Sequence, residues 1–422
     1  MLHDNAADIL PIKEPPRSLD KYEKFKKFLL DKNVKFFSKE EHSVQDLIHH
    51  HIKQRETNDP FFLVDLSIVL EQYREWHDYL PRVEPHYAIK SNHDPMIIEA
   101  LSTLGCAFDC ASKGEIELVL NLGVSPDRII YANTVKDPQY IEFAKAQNVN
   151  LMTFDNEVEL HKIKMYHPSA DLVIRIKTDD SHSALHFSKK FGCTLKNAKK
   201  FLQKVKELDL NVIGVSFHVG GKAHDPSPWT GAIKDAKEVF KMGQELGFNM
   251  YYLDIGGGFP GSPQDAHCTF EDIAIDINKH LDEYFSDVPN LKIIGEPGRH
   301  FSSRSHTLAF RVIGKREVED GEEGFHFEYY MNDGLYSSFN AVVFDEADPR
   351  IKPLHPTDGK KFKSTLFGPT CDSMDTITEK AELQELHVGD WLYAEYMGAY
   401  TIAAASRFNG FPKSGRYHIF MA

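Results

Sequence analysis

The sequence contains few cysteines and no long apolar run, and each shortage excludes a class of protein. Its 422 residues include five cysteines and no Cys-x-x-Cys pair, so we expect neither a disulfide framework nor a metal site. No segment approaches the ~20 apolar residues of a membrane helix, and residues 1–30 lack the apolar centre of a secretory signal. These absences predict a cytoplasmic protein with reduced thiols.

Basic residues are also in deficit. The chain has 49 Lys and Arg residues against 63 Asp and Glu residues, a formal net charge of −14. A protein that binds the phosphate backbone needs basic patches, so we expect no nucleic-acid partner, and we expect no membrane partner. The composition is otherwise typical of a globular protein, with 41 % hydrophobic residues, and the length suits a barrel of about 250 residues with a companion domain.

Short β-rich segments alternate with helical ones through the middle of the sequence. This rhythm is typical of βα units around a parallel sheet, and eight such units predict an α/β fold of the (β/α)8 barrel class. An open doubly wound sheet is the alternative, because strand counts made from a sequence err easily. The predicted strands are His86–Lys90, Ala107–Ala111, Ile129–Asn133, Leu151–Asp155, Leu172–Ile176, Val212–Val219, Tyr251–Ile255 and Leu291–Glu296.

The sequence changes character from Ser302 onward, where short strands are separated by Gly and Pro clusters. We expect an antiparallel β-domain there. Upstream, Ser43–Gln54 is predicted as a helix and Phe61–Asp65 as a strand. The predicted strands of the β-domain are Leu308–Ile313, His326–Met331, Ala341–Phe344, Ser364–Phe367 and Trp391–Glu395.

These patterns predict three parts along the chain. Residues 1–20 are proline-containing and are expected to be disordered. Residues 66–301 are expected to form the barrel. Residues 21–65 and 302–422 are expected to form the β-domain together, and to complete the active site.

The ends of the predicted barrel strands carry reactive side chains, and active sites of such barrels lie at that face. Taken singly, a lysine at a strand end is usually a surface charge, and a glycine triplet is usually a turn. Together, glycine N–H groups and an arginine favour a phosphate, and a phosphate site beside a lysine favours pyridoxal phosphate. An acid is also available for the pyridine nitrogen of that cofactor. The residues concerned are Lys90, Asp109, Arg175, His218, Gly256, Gly257, Gly258, Glu296 and Arg299.

Nine short motifs carry a family resemblance over about Phe28 to Phe411. The sequence resembles the eukaryotic-type ornithine decarboxylases, which belong to the fold type III pyridoxal-phosphate decarboxylases. In that family a (β/α)8 barrel is followed by a β-domain. The motifs are YAIK at 87–90, FDCAS at 108–112, VSFHVG at 215–220, LDIGGGFPG at 253–261, EPGR at 296–299, NDG at 332–334, GPTCD at 368–372, MGAY at 397–400 and FNGF at 408–411.

The resemblance implies a cofactor role for each barrel residue. Lys90 matches the Schiff-base lysine, His218 the ring-stacking histidine, and Glu296 the acid that keeps the ring nitrogen protonated. A protonated ring is an electron sink for the carbanion left by decarboxylation. The other cofactor residues implied are Asp109 beside the lysine, Arg175 near the cofactor, and Gly256, Gly257, Gly258, Arg299 and Tyr400 at the phosphate.

The resemblance also implies a substrate end of the site. Cys371 matches the acid that reprotonates the carbanion, Asp333 and Asp372 match the pair that binds the distal ammonium, and Phe408 matches a substrate contact. From the residues alone, a cysteine is more often a small core residue, and Asn332-Asp333-Gly334 is also a turn signal. In the family two subunits pack head to tail, so Cys371 and Asp372 would serve the partner's site. An antizyme-like regulator is a further implied partner.

The activity that the resemblance implies is decarboxylation of L-ornithine to putrescine and CO2, a step of polyamine biosynthesis. One alternative is a related decarboxylase for lysine, arginine or another amino acid. The alternative of another class is an inactive regulatory protein that resembles the antizyme inhibitors.

Four positions depart from the family pattern. Gly221 replaces a serine that contacts the cofactor phosphate, and Lys222 replaces a glycine and is a candidate to compensate. Ser337 and Ser373 replace glycines near the substrate end, which bears on substrate size.

The polar segment 177–190 is predicted equally as a lid or as a plain surface loop.

Overall fold

The protein divides into two compact units in the computed structural model, which describes residues 19–265, 267–319 and 324–422. One unit spans Glu71–Phe301, and the other combines the chain up to Leu70 with Ser302–Ala422. The expectation that residues 1–20 are disordered falls almost wholly on residues 1–18, which lie outside the described residues.

The unit Glu71–Phe301 is built around a closed barrel of eight parallel strands. The last strand pairs with the first, Ile293 opposite Val83, which closes the sheet. All eight predicted strands are present, with bounds shifted by a few residues, so the predicted fold class is confirmed. The barrel strands are β3 (Val83–Ala88), β4 (Ala107–Cys110), β5 (Ile129–Tyr131), β6 (Leu151–Phe154), β7 (Asp171–Arg175), β9 (Asn211–Ser216), β11 (Tyr252–Asp254) and β12 (Lys292–Gly295).

Helices separate the barrel strands, and polar caps define where several of them begin. Asp94 accepts a hydrogen bond from Met96 N–H and precedes a proline at the first helical position. The barrel helices are α4 (Pro95–Leu104), α5 (Lys113–Asn121), α6 (Pro138–Ala146), α7 (Glu157–Tyr166), α8 (Leu195–Glu207), α9 (Ser227–Glu245) and α10 (Phe270–Phe285). The remaining helices are α1 (Leu19–Asp31), α2 (Val44–Gln54), α3 (Leu66–Tyr79), α11 (Arg299–Ser302) and α12 (Ala341–Phe344).

The barrel strands also contribute a buried apolar cluster. Ile130, Val173, Ile213, Tyr252 and Ile294 are at most 5 % exposed and pack against one another. Packed apolar side chains exclude water from this part of the barrel. Chemistry is therefore left to the polar residues at the strand ends.

The second unit contains a nine-stranded mixed sheet. Its strands are β1 (Lys35–Phe37), β2 (Phe61–Asp65), β13 (His306–Glu319), β14 (Phe325–Met331), β15 (Ile351–Pro353), β16 (Lys361–Phe367), β17 (Thr376–Gln384), β18 (Trp391–Ala394) and β19 (Gly415–Met421). Most of the strand pairs are antiparallel, and β1–β19, β19–β2 and β14–β16 are parallel.

Two sequence predictions in this unit have different outcomes. The helix predicted at Ser43–Gln54 is confirmed, with Ser43 as its cap and Leu47 and Ile48 buried. The strand predicted at Ala341–Phe344 is wrong, because these residues form the short helix α12. Two valines favoured a strand there, but the Phe344 N–H bonds back to the Asn340 carbonyl at 3.0 Å and closes a helical turn.

The segment 177–190 contains the short strand β8 (Ser183–Leu185). It pairs antiparallel with β10 (Gly221–Ala223), the strand that follows the histidine motif. Among the described residues no helix is long and apolar enough to span a membrane.

Candidate active site

Lys90 lies in a single 3-10 turn, Ile89–Ser91, directly after the barrel strand β3. Its Nζ donates a hydrogen bond to Asp109 Oδ2 at 2.8 Å. Asp109 belongs to the neighbouring strand β4, and its side chain is 1 % exposed against 38 % for the lysine. The buried carboxylate therefore orients an amine that remains accessible.

Three buried carboxyl groups lie near one another at the barrel mouth, those of Asp109, Asp254 and Glu296. Burial raises the pKa of Glu296 well above its ordinary value, and the charges of Asp254 and Asp109 raise it further. Lys90 and Arg175 act in the opposite direction. Glu296 thus lies with the predicted residues, whereas the sequence reasoning missed Asp254.

His218 follows the strand β9, and its Nδ1 accepts a hydrogen bond from Gly220 N–H at 3.1 Å. A neutral ring that accepts at Nδ1 carries its proton on Nε2. Burial lowers the pKa of His218 well below its ordinary value, and the charges of Arg175 and Lys90 lower it further. The imidazole is therefore neutral at physiological pH.

The glycine triplet after β11 folds tightly against its neighbours. Gly256 and Gly258 have φ angles of +66° and +101°, in the left-handed region. A Cβ on Gly256 would lie 2.1 Å from the Phe217 carbonyl oxygen, and one on Gly257 would lie 2.9 Å from His218 Nε2. Larger residues do not fit, and the bare backbone is suited to approach an anion closely.

Arg299 begins the helix α11 and is 9 % exposed. Its Nη1 lies 3.5 Å from Asp265 Oδ1. The other Asp265 oxygen accepts hydrogen bonds from the N–H groups of Gly261 and Ser262 at 3.1 and 2.8 Å. Asp265 therefore ties the arginine to the loop that follows the glycine triplet. The sequence reasoning missed Asp265, because an acid in a polar loop gives no signal of its own.

The lid segment, residues 177–190, contacts His218 and Val219, which follow the strand β9, through several side chains. Thr178 Oγ1 donates to the His218 carbonyl at 2.9 Å, and Ser183 Oγ donates to the Val219 carbonyl at 2.7 Å. Phe187 packs on the His218 imidazole, with ring centres 5.0 Å apart. These contacts favour the lid prediction over a plain surface loop.

Gly221 and Arg175 also lie beside the lid. A Cβ on Gly221 would lie 3.0 Å from Leu185 Cδ1, so the leucine fills the space beside the position where the family has a serine. Lys222 has a φ of +56°, a left-handed conformation that is uncommon for lysine. The Arg175 guanidinium at the end of β7 lies 5.1 Å from the centre of the Phe191 ring.

The second unit carries a cluster around Cys371 and Asp372. Cys371 is exposed, and its backbone N–H donates to Asn409 Oδ1 at 3.0 Å. Asp372 accepts hydrogen bonds from the Tyr336 hydroxyl and from Met374 N–H, which lower its pKa. The Tyr336 ring stacks on Phe408, with ring centres 4.4 Å apart. Cys371, Asp372 and Phe408 are thus brought together, by Tyr336 and Asn409, which the sequence reasoning missed.

Asp333 has a different environment from Asp372. Its side chain is 1 % exposed, and it accepts hydrogen bonds from Gly334 N–H at 2.7 Å, Ser338 N–H at 2.9 Å and the Ser414 hydroxyl. Burial raises its pKa. The turn interpretation explains the contacts with Gly334 and Ser338, and Ser414 adds a hydrogen bond from a distant part of the chain. The role of Asp333 in substrate binding stays a prediction.

Tyr400 lies in a segment that needs glycine at Gly398. A Cβ on Gly398 would lie 1.7 Å from the Ser302 carbonyl oxygen, so only glycine allows this approach. Tyr400 itself has a φ of +58°. The backbone around Tyr400 is therefore held in one conformation by its sequence. Of the two serine departures, Ser373 is exposed and Ser337 is half-buried.

Comparison with known proteins identifies the family. A model of the family described as pyridoxal-dependent decarboxylase, pyridoxal binding domain, matches residues 66–303. The chain belongs to the pyridoxal-dependent decarboxylase family.

Individual relatives of this decarboxylase differ in what they are. The chain is 46 % identical to the ornithine decarboxylase of Mus pahari, over 87 % of this chain and 82 % of that protein. It is 49 % identical to antizyme inhibitor 2 of Xenopus laevis, over 86 % and 81 %. The crystal structure of the Paramecium bursaria Chlorella virus arginine decarboxylase superposes with a TM-score of 0.84 and 37 % identity, over 89 % of this chain and all of that one.

The residues of the barrel mouth fit the cofactor of the family. Asp109 Oδ1 is buried and has no hydrogen-bond partner among the described residues, and Glu296 lies close to it. Such acids suit a positively charged pyridine ring and imine. Gly256, Gly257 and Gly258 suit the phosphate, because backbone without side chains presents its N–H groups to an anion.

Proposed function

We propose that the protein converts L-ornithine to putrescine and CO2, as a step of polyamine biosynthesis. The observation that carries this proposal is the intact barrel site, in which Lys90 is oriented by Asp109 and lies with His218 and Glu296. Similarity to an ornithine decarboxylase over 87 % of the chain supports the choice of substrate.

Each barrel residue receives a proposed role toward pyridoxal phosphate. Lys90 would hold the cofactor through its amine, and Arg299 would bind the phosphate with Gly256, Gly257, Gly258 and Tyr400. When bound, the cofactor supplies a ring that accepts the electron pair left behind by CO2.

The protein's own residues control protons and charge around that ring. A Glu296 carboxylate would keep the ring nitrogen protonated by opposite charge. The neutral His218 imidazole would cover one face of the ring, and the Arg175 guanidinium would offset the negative charge of the nearby acids. Closure of the lid segment over this site would exclude water from a reactive carbanion.

At the substrate end we assign Cys371 as the acid that delivers a proton to carbon. Asp372 would bind the distal ammonium of the substrate. Hydrogen bonds keep the pKa of Asp372 low, so its carboxylate stays ionised. Phe408 would line the same end. For Asp333 we favour the structural role, since its oxygens already accept three hydrogen bonds.

We further propose a homodimer that shares its active sites. The unit that carries the substrate-end cluster has large apolar side chains exposed, with Val343 at 52 %, Phe344 at 73 % and Met374 at 69 % exposure. Exposed apolar side chains of this size are typical of an interface. A second copy of the chain that covers them would bring Cys371 and Asp372 to its own barrel.

The dimer proposal has a direct test that uses two inactive variants. Lys90→Ala and Cys371→Ala chains, mixed and allowed to exchange, form hybrid dimers in which one site is intact. In a symmetric dimer with shared sites, roughly a quarter of the wild-type activity should return. Mixtures that exchange subunits and stay inactive would contradict shared sites.

We also propose a cytoplasmic location. The sequence has five cysteines and no Cys-x-x-Cys pair, which is typical of proteins from a reducing compartment. Imaging of the tagged full-length protein tests this directly.

A second candidate function is that of an inactive regulator that binds an antizyme-like partner. Its support is the 49 % identity to an antizyme inhibitor together with the loss of the phosphate-binding serine at Gly221. Two measurements separate the candidates, the visible absorbance of bound pyridoxal phosphate and the release of CO2 from ornithine, lysine and arginine. Bound cofactor with turnover of ornithine supports the enzyme, and the absence of both supports the regulator.

A further inference from the structure

The lid segment reaches the side chain of His218 through an aromatic residue, Phe187. The two ring centres lie 5.0 Å apart and the ring planes are inclined by 59°, which is within the range of an attractive aromatic pair. Both residues are half-buried, so each remains partly accessible. The roles proposed above place His218 beside the cofactor ring and give the lid only the exclusion of water. They leave the contact between the two without a role.

The His218 imidazole is held from several directions. Its Nδ1 accepts a hydrogen bond from the Gly220 N–H at 3.1 Å. Gly257 lies beside its Nε2, since a Cβ on this glycine would be 2.9 Å from that nitrogen. The Phe187 ring adds a side-chain contact to these two backbone contacts. The lid therefore completes a set of restraints that the glycine loops begin.

Phe187 is itself fixed by the fold of the lid segment. The residue after it, Ser188, donates its N–H to the buried Asp180 carboxylate at 2.8 Å. The lid also reaches the backbone of His218, because Thr178 Oγ1 donates to the His218 carbonyl at 2.9 Å. The lid thus contacts this histidine at both its ring and its main chain.

An apolar ring packed on an imidazole also affects the charge of the imidazole. Contact with Phe187 removes water from His218, and burial is the main cause that lowers the pKa of this histidine. The charges that act on it are those of Arg175 at the end of β7 and Lys90 after β3, and both lower its pKa further. The lid and the two glycine loops contact it with uncharged groups. Loss of the phenyl ring would admit water, so the pKa of His218 should rise toward that of an ordinary histidine.

We propose that Phe187 is a positioning residue that holds the His218 imidazole in one orientation beside the cofactor. The lid then does more than exclude water, because it also fixes the histidine that covers the cofactor ring. The inference rests on the proposed role of His218 and adds the residue through which the lid acts on it.

The experiment compares Phe187→Ala with Phe187→Leu. Alanine removes the ring and uncovers the imidazole, whereas leucine keeps an apolar side chain over it. Phe325→Ala is the matched control, because Phe325 is another partly exposed phenylalanine packed on a ring. It stacks on Phe362 in the other unit, with ring centres 5.4 Å apart.

The first readout needs no cofactor. In apoprotein with 13C-labelled histidine, the NMR signal of the His218 ring is the one that is missing from His218→Asn. We expect the midpoint of its titration to lie about one pH unit or more higher in Phe187→Ala than in wild type, and to be nearly unchanged in Phe187→Leu and Phe325→Ala. A His218 signal that titrates alike in wild type and Phe187→Ala would overturn the inference.

The second readout is the dissociation constant of pyridoxal phosphate for the refilled apoprotein, measured at about pH 8 and about pH 6. The ratio of variant to wild type cancels the pH dependence of the cofactor itself. Phe187→Ala should bind about threefold to tenfold more weakly at the higher pH, because the imidazole is no longer fixed. The loss should be larger at the lower pH, because a protonated imidazole repels a protonated ring.

Phe187→Leu and Phe325→Ala should bind within about threefold of wild type at both pH values. Binding by Phe187→Ala that equals wild type at both pH values would contradict the inference. So would a loss of the same size in Phe325→Ala, since that residue lies in the other unit.

His218→Asn separates this inference from the proposed function. If this variant binds the cofactor as tightly as wild type, the proposed role of His218 fails. If it binds more weakly while Phe187→Ala binds as wild type does, the role of His218 stands and only the role of Phe187 fails.

Discussion

Gly221, where the family has a serine, packs closely against Leu185. A Cβ at this position would lie 3.0 Å from Leu185 Cδ1, at the edge of what packing tolerates. The leucine belongs to the lid strand β8, which pairs with Gly221. The absence of a serine hydroxyl at position 221 is therefore linked to the packing of Leu185, in the lid segment, against the strand β10.

We predict that Gly221→Ser improves cofactor affinity only when Leu185 is also shortened. In the double variant Gly221→Ser with Leu185→Ala, a hydroxyl can reach the phosphate, and affinity should rise about tenfold relative to Leu185→Ala alone. With Leu185 present the serine is crowded, so Gly221→Ser alone should give no gain. The four dissociation constants form a double-mutant cycle, and additive effects would refute the coupling.

Lys222 stands next to this site and supplies the control for the cycle. If Lys222 compensates for the missing serine, Lys222→Ala weakens cofactor binding in the wild type and has a smaller effect in the double variant. An unchanged dissociation constant for Lys222→Ala in the wild type would remove that hypothesis.

Asp372 and Asp333 provide a second prediction at the residue scale. Asp372→Asn removes a charge from the half-buried substrate-end cluster, so the KM for ornithine should rise at least tenfold with a small change in stability. Asp333→Asn weakens the acceptor of three hydrogen bonds in a buried turn, so it should destabilise the protein by about 1–3 kcal/mol. Steady-state kinetics and thermal unfolding separate the two effects, and the reverse pattern would contradict our assignment.

Residues with reactive side chains were predictable because they stand in motifs at strand ends. Lys90, His218, Glu296 and Arg299 all lie at the mouth of one barrel. Asp265 was missed because its contact with Arg299 depends on the folded loop, which sequence spacing does not encode.

At the scale of elements, the lid segment is held by Asp180. Its carboxylate accepts hydrogen bonds from Ser188 N–H at 2.8 Å and from the Ser188 hydroxyl, across the width of the segment. Asp180 is 6 % exposed, whereas neighbouring Asp179 is exposed. Asp180 therefore fixes the shape of the segment that carries Leu185 and Phe187.

We predict that Asp180→Ala loosens the lid. Limited proteolysis within 177–190 should become at least about fivefold faster, because loss of buried hydrogen bonds raises the open population. Asp179→Ala is the matched control and should be cleaved at the wild-type rate. Equal cleavage of both variants would show that Asp180 does not hold the segment.

The regular elements were predictable to different degrees. Strands β3 to β7 could be found because buried β-rich runs alternate with helical periodicity. The short strands β8 and β10 were not found, since three-residue strands in a polar segment have no pattern. α12 was misassigned because its valines favour a strand while its backbone closes a turn.

At the scale of the whole molecule, buried acids make stability depend on pH. Burial raises the pKa of Asp65 from 3.8 to about 6. Below pH 3.8 this group is protonated in both states and has no effect on stability. As pH rises toward 6 the unfolded chain loses the proton first, so stability falls, and above 6 the loss is constant.

We predict that Asp65→Asn removes this loss. Because the pKa rises from 3.8 to about 6, the ionisable Asp65 lowers the free energy of unfolding by roughly 3 kcal/mol at neutral pH. It has no such effect at pH 3.5, so the variant should be more stable than the wild type only at the higher pH. Chemical denaturation of wild type and variant across that range measures the difference. A stability difference that does not grow between pH 4 and pH 6 would contradict a buried, protonated Asp65.

At the scale of the whole molecule, the fold could be predicted from the sequence, whereas the assembly could not. Eight βα units predicted a barrel, with an open doubly wound sheet as the alternative, and the barrel is closed. The exposure of Val343, Phe344 and Met374 was not predicted, because a sequence does not show which of its apolar residues stay at the surface of the fold.

We propose that the intact barrel site decarboxylates ornithine. The direct measurement is CO2 release by purified protein loaded with pyridoxal phosphate, with L-ornithine, L-lysine or L-arginine as substrate and Lys90→Ala as control. We predict equimolar CO2 and putrescine from ornithine, a kcat/KM at least tenfold above those for lysine and arginine, and no turnover by the variant. Cofactor-loaded protein that releases no CO2 from ornithine would contradict the account.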